Sequence, residues 1–157
     1  MGANLGSPRL GPPAATLAWA GERLRALLPG LRMAPLYRTA PISHLAQPDF
    51  LNTVALAEEP AYPPRRLLAE LKAIEQEAGR APAERDAPRV LDLDLLFFGD
   101  LELEEPGLTL PHPRLQGRLF VLAPLRDLAP DLALPPGGRT VAELYAAIEG
   151  TQAIARA

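Results

Sequence analysis

Asp92 and Asp94 stand two apart in an otherwise apolar run, VLDLDLLFF, over residues 90–98. On a strand that rises ~3.3–3.4 Å per residue, both side chains leave the same face about 6.6–6.8 Å apart, while Leu91, Leu93 and Leu95 point into the core. Carboxylates this close repel unless a cation sits between them, and hard oxygen ligands of this kind suit Mg²⁺ held together with substrate phosphates. A solvated strand face is the alternative for an isolated D-x-D. The surroundings favour chemistry, because the charged loop GRAPAERDAPR leads straight into the pair and carries Arg80, Arg85 and Arg89. Guanidinium forks match phosphate oxygens and can neutralise charge on a phosphoryl group in transit, delivered by loop motion. Lys72 is the only lysine among the 16 basic residues, so positive charge in a site would be guanidinium.

A second constellation suits a flat heterocycle. Phe50 and Asn52 are two apart on an expected strand, so a ring and an amide that both donates and accepts point together. Phe120 could supply a second ring. A core Phe with an Asn that satisfies a bulge is the alternative. His112, in LPHPRLQGRLF, could bond a phosphate or ribose, or be a loop residue with a backbone partner. Near the start, GANLG (2–6) is a glycine loop that lets backbone approach something closely. No G-K-[ST] occurs in the chain, which excludes a P-loop kinase.

These residues need elements to position them. Residues 14–28 place Leu17, Ala20, Leu24, Leu27 and Leu28 at helical spacing, ended by Pro29-Gly30. Residues 31–38 alternate, with Pro35 marking an edge strand or bulge. Residues 50–57 read as a strand with Phe50, Asn52, Val54 and Leu56 on one face. A helix from Pro63-Pro64 to Gly79 carries Leu67, Leu71, Ile74 and Ala78 on one stripe. Residues 90–98 give the strongest strand signal, with Gly99-Asp100 turning into a return strand at Leu101–Leu103. Short helical turns cut by Pro124 are expected over Pro113–Leu128. Thr140 and Glu143 form a capping-box pattern ahead of a last helix, Val141–Ile148.

With 157 residues, the chain is expected to be a single domain. Hydrophobic residues at 48% can bury a core, and a net charge of -3 gives no cationic field for nucleic acid or anionic lipid. Zero Cys removes disulfides, thiolate metal sites and a cysteine nucleophile. No apolar run reaches the ~20 residues of a membrane span, and a cytoplasmic, soluble protein is expected.

Taken together, GANLG, YRTAP, QPDFLNTV, LKAIEQEAGR, RVLDLDLLFFGD, LTLPHPRLQGRLFVLAPL and DLAP resemble, in order and through nearly the whole chain, the 6-hydroxymethyl-7,8-dihydropterin pyrophosphokinase family of folate biosynthesis. The resemblance implies transfer of an intact pyrophosphate from ATP to the pterin hydroxymethyl group, giving AMP, with two Mg²⁺ and no covalent intermediate. It implies an α+β ferredoxin-like sandwich, β-α-β-β-α-β with an extra C-terminal hairpin and helices, acting as a monomer with three mobile loops. By position, Asp92 and Asp94 match the metal ligands, and Arg80 and Arg89 the arginines that assist transfer. Arg85 has a similar place in the same loop. Thr109, His112, Arg118 and the backbone of Leu95 match ATP contacts. Thr39, Pro41, Ile42, Phe50, Asn52 and Phe120 match the pterin pocket, with Phe50 and Phe120 stacking and Asn52 reading the edge. Glu75 matches a glutamate beside the site. Deprotonation of the pterin hydroxyl is left open between Asp94 and metal coordination.

There are departures from the family pattern. Asp86 stands where many relatives have an aromatic residue, and Pro113 stands where a tyrosine sometimes follows the histidine, removing a backbone donor. Relatives carry an apolar strand before the glycine loop, whereas this chain begins Met1-Gly2. The first strand is therefore expected to be missing and the true start to lie upstream. Two other readings fit parts of the sequence: a non-catalytic ferredoxin-like module that binds a small ligand, and another Mg²⁺-dependent nucleotidyl enzyme on the same fold. The second leaves Asn52 and its flanking rings unexplained.

Overall fold

A computed structural model describes residues 1–41, 46–81 and 87–157. Apolar alternation and proline punctuation divide the chain into β1 (Gly2–Ala3), α1 (Pro13–Leu27), β2 (Arg32–Met33), β3 (Tyr37–Thr39), β4 (Phe50–Asn52), β5 (Ala55–Leu56) and α2 (Pro64–Glu77). After the acidic segment come β6 (Leu103–Glu105), β7 (Leu108–Leu110), α3 (Leu119–Leu128), β8 (Ala133–Leu134), β9 (Arg139–Thr140), α4 (Val141–Ile148) and β10 (Ile154–Arg156). The result is a mixed α+β protein with antiparallel pairing throughout these strands.

The principal sheet runs β1-β4-β3-β10. Gly2 pairs with Asn52 on one side and bridges Asp92 on the other, so β1 lies between β4 and the acidic segment. This corrects the expectation that the first strand is missing: it is present as two residues, paired with β4 and bridged to Asp92. Beyond the pairing with β4, Gly2 N–H donates to Asp92 O (3.0 Å), Asp92 N–H to Gly2 O (2.8 Å), and Thr53 N–H to the O of the preceding Met1 (3.0 Å).

Among the described residues the core forms two apolar clusters. Leu17, Ala20 and Leu24 of α1 and Leu71 and Ile74 of α2, with Ala78 beyond its end, pack with Ala3, Leu91 and Leu93. Val121, Leu122 and Leu125 of α3 and Val141 and Leu144 of α4 pack with Val54, Leu115 and Leu134. The capping box is formed: Thr140 Oγ1 accepts from Glu143 N–H, and Glu143 Oε2 from Thr140 N–H at 2.8 Å.

Several expected boundaries move. Pro35 separates β2 from β3, and the 50–57 run breaks at Thr53-Val54 because Ala34 N–H donates to Val54 O (2.9 Å) and Thr53 Oγ1 to Ala34 O (2.9 Å). Leu56 thus falls in the strand after the break. Residues 90–98 do not form a continuous strand. Leu91 and Leu93 are buried and Asp92 and Asp94 lie opposite them as the alternation requires, but only Asp92 makes a bridge. The turn at Gly99–Asp100 exists, with Leu101 N–H donating to Phe98 O (3.1 Å). The chain does not return along 90–98, because β6 pairs with β7 instead, across Pro106-Gly107, where Gly107 takes a positive φ of 77°. Helical turns expected over 113–128 become one helix, α3, which accommodates Pro124.

Candidate active site

The acidic segment lacks a full strand partner, and its free backbone groups are taken by side chains and loops. Leu93 N–H donates to Glu75 Oε1 (2.6 Å), Leu93 O accepts from Lys72 Nζ (3.1 Å), and Leu96 O accepts from His112 N–H (2.7 Å). These bonds fix where Asp92, Asp94 and His112 stand. Glu75, on the buried stripe of α2 and 3% exposed, also accepts from Lys72 Nζ (2.9 Å) and pairs with Arg80 Nη1 (2.5 Å).

Asp92 is held by two arginines, its Oδ1 by Arg80 Nη1 (2.7 Å) and its Oδ2 by Arg89 Nη1 (2.9 Å). Burial pushes its carboxyl up, but the Arg89 and Arg80 guanidiniums outweigh burial and hold it below the usual carboxylate value. Asp94 is exposed, toward the same cavity. This cavity, of about 620 Å³, is walled by Asp92, Asp94, Arg89, His112 and Arg118 together with Thr39, Phe50, Asn52 and Phe120. The carboxylates and the aromatic rings therefore share one space.

On the ring side, Asn52 is buried and its Nδ2 donates to Thr39 Oγ1 (2.8 Å). A Cβ on Gly2 would lie 2.6 Å from Asn52 Oδ1, so the close approach that the glycine loop permits is to this amide. The Arg118 guanidinium lies over the Phe120 ring at 5.3 Å. His112 Nδ1 accepts from Arg114 N–H (3.1 Å), which leaves the proton of the neutral ring on Nε2. Burial, then the Arg118 charge, lowers the His112 pKa, with Asp94 pulling the other way.

The model built for 7,8-dihydro-6-hydroxymethylpterin-pyrophosphokinase (HPPK) matches residues 1–130. The chain belongs to this family. It is 47% identical over 150 residues to a 2-amino-4-hydroxy-6-hydroxymethyldihydropteridine pyrophosphokinase of Pseudomonas aeruginosa, covering 94% of this chain and 88% of that one. A protein of the same name from Methylorubrum extorquens is 40% identical over 149 residues, covering 93% and 91% of the two chains. One from Synechocystis is 46% identical over 105 residues, 67% of this chain and 53% of that longer one. The protein is thus a pyrophosphokinase of folate biosynthesis.

Some expected site residues of this pyrophosphokinase lie apart from the shared cavity. Arg80 reaches it only through Asp92. Leu95 lines a neighbouring apolar cavity of about 420 Å³. Thr109 is exposed on β7, and Ala40 rather than Pro41 contributes to the wall. Ile42 and Arg85, and the departure at Asp86, lie outside the described residues. Sequence reasoning passed over Lys72 and Asn4. The lysine's place three residues before Glu75 on one helix face was the available signal. Asn4 had none beyond its position in the glycine loop. Among the described residues, no helix is long and apolar enough to cross a membrane.

Proposed function

We propose that this pyrophosphokinase moves an intact diphosphate from ATP to the hydroxymethyl group of 6-hydroxymethyl-7,8-dihydropterin, releasing AMP, as a cytoplasmic monomer with one ferredoxin-like domain over residues 1–157. The observation that supports this reading is the single cavity in which Asp92 and Asp94 face His112, Arg118, Phe50, Asn52 and Phe120. The donor set suits two Mg²⁺. Among the described residues no cluster of three or more His, Asp or Glu forms, and Mg²⁺ favours one or two carboxylates completed by phosphate oxygens and water. When bound, the ions neutralise charge on the phosphates.

The chain's own residues do the rest. Asp92 and Asp94 orient the polyphosphate. Arg89, already within the cavity wall, and Arg80, parked on Asp92, turn their guanidiniums to the transferred group. Arg118 and neutral His112, donating through Nε2, hold the nucleotide, with Arg85 assisting. Phe50 and Phe120 sandwich the pterin, and Asn52 reads its edge through the amide that Thr39 orients. Incubation with ATP, Mg²⁺ and the hydroxymethyl pterin tests this directly. AMP and pterin diphosphate in equal amounts are expected; ADP or inorganic phosphate as the product overturns the reading.

A further inference from the structure

Asn4 is 4% exposed, and its amide is committed to two different loops. Its Nδ2 donates to Gln47 Oε1 (2.9 Å) and to Pro48 O (3.0 Å), while its Oδ1 accepts from Arg89 N–H (2.7 Å). Its backbone N–H also donates to Arg89 O (3.0 Å). A side-chain amide offers two donors and one two-lone-pair oxygen, so both donors and the acceptor are in use. Pro48 leads within two residues to Phe50, and Arg89 within three to Asp92. Gln47 and Arg89 both line the shared cavity. One buried side chain therefore ties the wall bearing the ring and edge-reading amide to the wall bearing the arginine and the carboxylates.

We propose that Asn4 is a positioning residue that couples these two walls, so that nucleotide bound against Arg89 and Asp92 raises the affinity of the Phe50–Asn52 side for the pterin. The inference rests on the pyrophosphokinase reading above. Its physical basis is shared ordering. A ligand that immobilises residues 89–92 also immobilises Asn4 and, through it, residues 47–48, so the second ligand meets a wall already fixed. Linkage makes the effect reciprocal: the pterin tightens nucleotide by the same factor.

Isothermal titration on the full chain tests this. Pterin affinity is measured with and without Mg²⁺ and a non-hydrolysable ATP analogue, in the unaltered protein, Asn4→Ala and Gln47→Ala. The ratio of the two pterin dissociation constants is the readout, and any direct contact of Gln47 with the pterin cancels in it. The unaltered chain is expected to show a ratio of roughly tenfold or more, within the usual range of coupling between sites. Asn4→Ala should bring it to within about twofold of unity, and Gln47→Ala, which keeps the Pro48 bond, to an intermediate value. A merely structural role would lower the melting temperature and leave the ratio unchanged. Ratios in both variants equal to that of the unaltered protein, or a ratio of one in the unaltered protein, overturn the inference while leaving the pyrophosphokinase reading intact. If Asn4→Ala does not fold, Gln47→Ala decides alone. Absence of any nucleotide or pterin binding by the unaltered chain overturns the reading itself, and the coupling with it.

Discussion

Replacing Glu75 with glutamine removes a buried negative charge on which three donors converge: Leu93 N–H at 2.6 Å, Lys72 Nζ at 2.9 Å and Arg80 Nη1 at 2.5 Å. The amide oxygen can keep the Leu93 bond, but the two cations lose their counter-charge. A hydrogen bond to a charged group is worth ~1.5–3 kcal/mol against ~0.5–1.5 for a neutral one, so each downgrade costs about 1 kcal/mol. The Lys72 side chain is 42% exposed, and its share falls toward the ~0–1 kcal/mol of a surface pair. Arg80, 25% exposed, keeps Asp92 as a second partner. The net loss is therefore about 1–2 kcal/mol, equivalent to a melting temperature lower by roughly 3–6 °C for a chain of this length. Glu75→Ala should cost more, because Leu93 N–H would lose its acceptor at a buried site, ~1–3 kcal/mol by itself. Calorimetry at pH 7 measures the stability change. Since Glu75 holds both the backbone between the two aspartates and the head of Arg80, turnover of Glu75→Gln should fall roughly 10- to 100-fold from misplacement alone. A melting temperature within about 1 °C of the unaltered protein together with unchanged turnover would refute the reasoning.

Asp94→Asn should leave the melting temperature unchanged, since Asp94 is exposed, and lower turnover by roughly 10²–10³-fold, or ~3–4 kcal/mol of transition-state stabilisation; steady-state AMP formation checks it. Gly2→Ala should raise KM for the pterin more than for ATP, because the added methyl would meet Asn52 Oδ1 at 2.6 Å and push that amide, which is proposed to read the pterin edge, aside; equal changes in both constants contradict it. Asp92, whose pKa is depressed in the fold, contributes stability that is full above the ordinary value of 3.8 and lost as pH falls through its folded value, which denaturant unfolding between pH 3 and 7 should show. The His112 pKa is also depressed, but for a base the unfolded chain takes the proton first, so stability falls as pH drops below 6.5; a ring titration midpoint above 6.5 by NMR contradicts this.

Helical spacing made α1 and α2 legible because their apolar stripes face a single core, and the Thr140–Glu143 pattern marked α4 because its cap is local. The 90–98 segment misled for a physical reason. Alternation reports burial of Leu91 and Leu93, which is real, but not the partner for the backbone, and here Glu75, Lys72 and His112 take groups a neighbouring strand would have used. The sequence points to a return strand earlier than the β6–β7 hairpin, because Gly99-Asp100 and Pro106-Gly107 are both good turns and only tertiary pairing chooses between them. β10 carried no signal, since Ile154–Arg156 is a short edge strand whose hold comes from β3 and from Arg156 pairing with Asp127 at 2.7 Å. Among the residues that line the shared cavity, Asp92, Asp94, Asn52, Phe50, Phe120 and His112 stand out by residue type and spacing, each beside a structural alternative. Asn4 was not, because its partners lie more than 40 residues away in sequence.

The most direct test is anomalous diffraction from crystals grown with Mn²⁺ in place of Mg²⁺, a non-hydrolysable ATP analogue and 6-hydroxymethylpterin. The account predicts metal peaks at coordination distance, about 2.1 Å, from carboxylate oxygens of Asp92 and Asp94 and bridged to the phosphates, with the pterin ring between Phe50 and Phe120. Metal peaks away from both aspartates, or a pterin bound outside the cavity shared with Asn52, would contradict it.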